Sequence, residues 1–378
     1  SDNCLNSCNL NICGDGYVKT GGTGIKEQCD DGNNDNTDEC TNICEIKKCG
    51  TDLASCEIGD TINCSELGHG FGTVTCNDAC NWDDSACFYY YGKICTGQTK
   101  CYNHMSQIPC PTEGQSFYGQ DGQNFCQPRD YTVGGTAGAD FVTDNNTELI
   151  WQRTLSTSTY KWADAKMYCD NLNYAGQTDW RLPTRKELAT LPDYGRNNPA
   201  IDTTIFPGTQ SSTYWSSTSG PSSGYARYIQ FSTGYILDYL QTSSYYVRYV
   251  RGSTLPKSSF TELTVSGDVV VEDTVLDLIW QKEYSSALTW EHALSYCENS
   301  TYAGYSDWRL PNIEELKTLI DDSRNNPASG FPGMPNQSFW SSSSNLSDDN
   351  QAWYVFFRYG DVYYNRIKTD VTYARCVR

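Results

Sequence analysis

The side chains of this chain best equipped for chemistry are its thiols. There are 19 cysteines, and 16 of them fall within the first 139 positions. The close pairs Cys4/Cys8, Cys40/Cys44 and Cys76/Cys80 each leave three residues between them, and Cys-x-x-Cys does not occur. A thiolate zinc site favours tighter spacing with histidine in support. The three histidines, His69, His104 and His292, lie far apart. Disulfides are therefore the expected chemistry, and they imply an oxidising compartment: secreted, periplasmic or cell-surface.

A second constellation is all oxygen. Asp30, Asp31, Asn33, Asp35 and Asp38 crowd into one short stretch. Hard cations take six to eight oxygen ligands, so this is a candidate calcium site. It lacks the bidentate Glu that closes an EF-hand loop, and a solvated Asx-rich turn is the competing reading. No other metal or cofactor is expected. Nothing in the chain lays out a Ser-His-Asp triad, a phosphate-cradling glycine loop or a nucleophile motif, so we expect no enzyme.

The elements that must position these residues come in two copies. Leu149-Ile150-Trp151-Gln152 returns as Leu278-Ile279-Trp280-Gln281, and Asp179-Trp180-Arg181-Leu182-Pro183 as Asp307-Trp308-Arg309-Leu310-Pro311. Arg196-Asn197-Asn198-Pro199 returns as Arg324-Asn325-Asn326-Pro327, and both copies end in Val-Arg. Each copy orders a strand, a helix, a second helix and several short strands, an α+β module. Trp162, Ala165, Cys169 and Leu172 share one helical face, and Trp290, Ala293 and Cys297 repeat that stripe. Thr184 with Glu187, and Asn312 with Glu315, are spaced as capping boxes. Trp180, Arg181 and Glu187, and Trp308, Arg309 and Glu315, are read as scaffold, with Trp filling core and Arg pairing with a carboxylate or carbonyls. In Tyr245-Tyr246 and Tyr363-Tyr364, alternation along a strand sends one ring inward and one outward. Outward rings suit protein interfaces or sugar stacking.

We divide the chain into a Cys-rich module at 1–50, further disulfide-rich modules and a leader at 51–139, a first copy at 140–252, a linker at 253–267 and a second copy at 268–378. Residues 127–139 also read as linker, because Gly134-Gly135 interrupts any periodicity. The net charge of −19 is uneven. Residues 1–139 hold 19 acidic and 7 basic side chains, the first copy 10 of each, and the second copy 16 and 9. Such a chain, with no basic stripe, is a poor partner for nucleic acid or anionic membranes. It has no apolar run long enough to span a bilayer. It opens on Ser1 without a signal peptide, which we read as a processed, mature start.

Trp180–Thr184 with Glu187-Leu188, Trp308–Asn312 with Glu315-Leu316, and the ending Arg375-Cys376-Val377-Arg378 resemble the bacterial DUF1566 domain, also called the Lcl C-terminal domain. The resemblance covers both copies. It implies a fold related to C-type-lectin-like and formylglycine-generating-enzyme modules, and secreted or surface proteins that are often adhesive. Sulfated-glycan binding in that family would need positive charge that this chain lacks. The resemblance also implies a disulfide between Cys297 and Cys376. Tyr249 occupies the partner position in the first copy, so Cys169 is the odd cysteine: a buried thiol, or one bonded to an N-terminal cysteine or to another subunit. Cys13 to Cys44 resembles the Cys-rich DUF4215 repeat.

The expected architecture is thus two tandem C-type-lectin-like modules after a small disulfide-rich, mostly irregular or β N-terminal region. The expected role is a non-catalytic secreted structural protein, a subunit of an extracellular filament or surface assembly, also adhesive. Copies of itself, joined head to tail, are the expected partners, with glycans or surface proteins beside them. The copies, of unlike charge, leave room for heterologous contacts that do not close. The alternative is a monomeric or small-oligomer lectin-like adhesin for neutral glycans or a protein.

Overall fold

The computed structural model describes residues 93–378, apart from positions 125, 137, 156 and 171, and four short strands before them. The chain divides into two compact units, Ser1–Phe88 and Tyr89–Arg378. In the first unit β1 (Lys48–Cys49) pairs antiparallel with β2 (Cys56–Glu57), and β3 (Thr61–Asn63) with β4 (Thr73–Thr75). The cluster Asp30, Asp31, Asn33, Asp35 and Asp38 lies outside the described residues.

The second unit opens with a leader. The hairpin of β5 (Cys101–Tyr102) and β6 (Gln107–Ile108) is stapled by Cys101–Cys110, and Cys95–Cys126 closes the whole leader into a loop. Too few apolar residues occupy this stretch to build a core, so covalent bonds hold it.

The first copy runs β7 (Tyr131–Thr136), β8 (Ala139–Asp144), β9 (Ile150–Gln152), β10 (Tyr160–Lys161), α1 (Trp162–Asp170), α2 (Arg185–Leu188), β11 (Thr213–Ser219), β12 (Tyr225–Gln230), β13 (Tyr235–Leu240), β14 (Ser244–Tyr245) and β15 (Val250–Arg251). The second runs β16 (Phe260–Val265), β17 (Asp268–Asp273), β18 (Leu278–Gln281), α3 (Trp290–Glu298), α4 (Ile313–Thr318), β19 (Ser338–Ser344), β20 (Gln351–Phe356) and β21 (Asp361–Ile367). The described residues are mostly antiparallel strand with short helices. None of these helices is long and apolar enough to cross a membrane.

Both stretches read as linkers contain strands. Residues 127–139 supply β7, which pairs with β8 from Tyr131↔Asp144 to Thr136↔Ala139. Residues 253–267 supply β16, which pairs with β17 along its full length. Gly134 is not a breaker. A Cβ there would lie 2.7 Å from the Phe141 ring, so the glycine lets that ring cross the strand.

The copies are also not beads on a string. β11, β12 and β13 form one half of a six-stranded sheet, and β21, β20 and β19 complete it in mirrored order. The seam is β13 against β21, where Ile236 pairs with Val362. These two are equivalent residues of the two copies, so a pseudo-two-fold axis passes between them. The main core runs through this seam, with Tyr194, Ile229 and Ile236 of one copy and Leu316, Trp353 and Val362 of the other in one buried cluster. The unlike copies close on each other within the chain.

Candidate functional site

The repeated motif builds identical scaffolds. In the first copy Thr184 caps α2 and the Glu187 carboxylate accepts the Thr184 N–H at 2.7 Å. The same carboxylate receives both terminal nitrogens of Arg181 at 2.7 Å. In the second, Asn312 caps α4, and Glu315 receives Arg309 at 2.6 and 2.5 Å. Trp180 and Trp308 are buried and donate to Tyr174 O and Tyr302 O. Such bidentate pairs hold geometry, and all six residues are committed to it.

The copies differ at their last strand. Cys297 on α3 is bonded to Cys376, with S–S 2.10 Å. Cys169 stays a thiol, 1% exposed, whose Sγ donates to Ala165 O at 3.1 Å. Tyr249 takes the place of Cys376 and stacks on Tyr168.

Two buried arginines had no role assigned from the sequence, although Arg375 stands in the repeated ending. Arg248 and Arg375 are fully buried, donate to Gln152 O and Gln281 O, and lie 4.8 and 4.3 Å from the ring centres of Phe206 and Phe331. Desolvation pushes each guanidinium down to about 10. The usable signal was their recurrence one residue before the Cys/Tyr position.

The seam between copies carries the main polar surprise. On one flank Tyr194 meets Trp353 edge-on at 4.8 Å, and Tyr364 contacts both Trp353 and Tyr235. Their pseudo-two-fold counterparts on the other flank are Asp322, Arg227, Asp238 and Asp361, all charged. Arg227, 2% exposed, lies 2.6 Å from Asp361, 3.7 Å from Asp238 and 3.8 Å from Asp322. Arg185 holds Asp322 at 2.9 Å. Deeper in the seam Lys317 donates to Ala189 O at 2.7 Å and to the Tyr194 hydroxyl at 3.0 Å, and pairs with Glu314 at 2.9 Å. Burial pushes its amine down to about 8, although Glu314 opposes this. One flank is aromatic and the other ionic, so the two halves meet through unlike contacts on either side of the axis. The signal lay in equivalent positions that differ in charge, meaningless until the copies face one another.

The leader breaks the symmetry a second time. Gln98 bonds Ser344 through both ends of its carboxamide, at 2.5 and 3.0 Å. Asp121 is buried against Ser343, and its carboxyl is pushed up to about 7 by desolvation against the pull of the Ser343 and Thr96 hydroxyls. Phe117 packs on Trp290 of α3, and Lys368 donates to Asn103 O with its ammonium 4.3 Å from the Trp290 ring centre. The equivalent face of the first copy is bare of any described segment. Trp162 is only half-buried there, with Met167 at 58%, Tyr168 at 40%, Tyr239 at 48% and Leu240 at 43% exposure around it. Tyr160, Met167, Tyr168 and Leu172 line a shallow open hollow of about 470 Å³ on this face. Tyr245 and Tyr246, and Tyr363 and Tyr364, do straddle their strands, yet every ring is half-buried against neighbouring aromatics. The histidines stay apart: His104 packs on Phe117 and His292 meets Thr289, while His69 lies outside the described residues.

Among known families, the one described as the Lcl C-terminal domain matches residues 140–251 and again 269–378. No curated protein matches the chain.

Proposed function

The chain belongs to the Lcl C-terminal domain family over both copies, and from that premise we propose that it is a non-catalytic, secreted structural protein, a subunit that assembles into an extracellular filament or surface layer. The observation that carries this reading is the partly exposed face of the first copy, which no other described segment covers. Its Met and Tyr side chains are of types enriched where proteins meet, and with Leu172 and Leu240 they form a patch rather than scattered single residues. The second copy buries its own version of that face under the leader, so the exposed one is the natural joint for another subunit. The scaffold duties of Arg181, Glu187, Arg309 and Glu315 support a non-catalytic role. The disulfides Cys95–Cys126, Cys101–Cys110 and Cys297–Cys376 are compatible with an extracellular place. Antiparallel hairpins beside short helices agree with a C-type-lectin-like module, the finer fold expectation.

Electron microscopy of native, unreduced material tests the proposal. Ordered fibres or sheets of uniform width are expected, and Met167→Asp with Tyr168→Asp should abolish them while the monomer stays folded. Dispersed particles at high concentration would overturn it. The second reading, an adhesin for neutral glycans or a protein, rests on the same exposed tyrosine rings, which suit sugar stacking. A glycan array that lights up for wild type and dims for Tyr168→Ala would favour it.

A further inference from the structure

The pseudo-two-fold axis allows each half of the molecule to be compared with the other, and one place is filled on one side and hollow on the other. On the filled side the Asp121 carboxylate accepts from Ser343 Oγ, which itself accepts the Ile313 N–H at 3.0 Å. The counterpart of Ser343 is Thr218, and that of Ile313 is Arg185. Thr218 Oγ1 accepts the Arg185 N–H at 2.9 Å, reproducing the protein's half of the arrangement. No described part of the leader lies there. A cavity of about 240 Å³ does, walled by Thr218, Lys186, Leu255, Phe260, Leu319 and Ile320. The Thr218 hydroxyl is engaged there as an acceptor, and a hydroxyl also carries one hydrogen to donate.

Two replacements define what fits. Lys186 stands where the filled side has Glu314, so the hollow side carries a cation where the other has an anion. Its Nζ also donates to Pro256 O at 2.9 Å, which fixes it in the wall. Ser323 stands where the filled side has Gly195. A Cβ at Gly195 would lie 2.0 Å from Gly97 O, so the leader's close backbone approach is open on one side only. A second leader is thereby excluded from the hollow side. The two acids in the wall are already held by cations: Asp321 by Lys257 at 3.3 Å, Asp322 by Arg185 at 2.9 Å. The volume is below the roughly 300–1,000 Å³ of sites for drug-sized ligands. It suits a carboxylate on a short apolar body.

We propose that this cavity binds a small ionised carboxylic acid, with the Thr218 hydroxyl donating to one oxygen and Lys186 supplying the counter-charge. Charge-assisted bonds of this kind gain strength in a partly desolvated wall. The carboxylate arrives either as a free acid or as an acidic side chain offered by another chain, and the cavity recognises the group they share.

Calorimetry and saturation-transfer NMR on the full chain test this with butyrate, and with methyl butyrate as the neutral control. Saturable binding of butyrate but not of its ester is expected. Thr218→Val and Lys186→Met should each weaken it at least tenfold, while Thr218→Ser retains it and circular dichroism confirms that all variants are folded. N-acetylglutamate N-methylamide serves as the second probe. If it binds and butyrate does not, with the same dependence on Thr218 and Lys186, the source is a protein side chain. Absence of saturation by either probe, equal binding of the ester, or unchanged affinity in both variants would overturn the proposal.

Discussion

Arg227 is the residue whose removal says most about how the two copies are joined. It is buried in the seam and faces three carboxylates, at 2.6 Å from Asp361, 3.7 Å from Asp238 and 3.8 Å from Asp322. Arg227→Met keeps most of the side-chain volume but strands Asp361, whose carboxyl burial already pushes up. Deleting one partner of a buried ion pair costs about 3–5 kcal/mol, because the remaining charge is left without compensation. The opposite deletion, Asp361→Leu, leaves Arg227 with two other acids, so its cost is smaller. The double variant removes both charges from the tightest pair and should be less destabilised than Arg227→Met alone. Guanidinium unfolding of the full chain, followed by tryptophan fluorescence, measures all three. The Arg227→Met deficit should also shrink on acidification. A carboxyl with a folded pKa above its unfolded value favours the fold at low pH, and loss of the arginine raises Asp361 further. A cost below about 1 kcal/mol for Arg227→Met, or equal costs for the two single variants, would refute the view that Arg227 is the counter-charge Asp361 depends on.

Asp121→Asn should raise the melting temperature at pH 8 and flatten its pH dependence. With the Asp121 carboxyl pushed up to about 7, the wild type carries a penalty that is full above pH 7 and relieved as pH falls towards 4, worth up to about 4 kcal/mol. The difference between wild-type and variant melting curves across that range isolates it. Tyr249→Cys, oxidised by dissolved oxygen, should let Cys169 form the bond that its counterpart makes, which disappearance of both thiols and a monomer lighter by two hydrogens than its reduced form would show; two persisting thiols would count against the equivalence of Tyr249 and Cys376. Cys376→Ser, which opens a bond between positions 79 residues apart, should cost about 4–5 kcal/mol in the same unfolding assay.

What could be read from the sequence was local or repeated. The capping pairs Thr184/Glu187 and Asn312/Glu315 announce themselves because their partners sit three residues away. The recurrence of Trp-Arg-Leu-Pro gave the module and the family. Where the reading failed, the cause was contact at a distance. Gly134 looked like a breaker because the ring that needs it, Phe141, approaches from the neighbouring strand. The linker at 253–267 hid β16, whose pairing with β17 is what makes it a strand. The seam was invisible because its logic lies in differences between copies, Tyr194 against Asp322 and Trp353 against Arg227, and a repeat is recognised by its similarities.

The pairing of β13 with β21 has a consequence for how this protein meets dilution. Two halves on separate chains would part as concentration falls, by mass action. Here the second half is tethered by a short connection, so its partner faces it at an effective concentration on the order of millimolar whatever the amount of protein around it. The unlike faces have therefore been free to diverge, one aromatic and one charged, without each having to find the other among copies of itself.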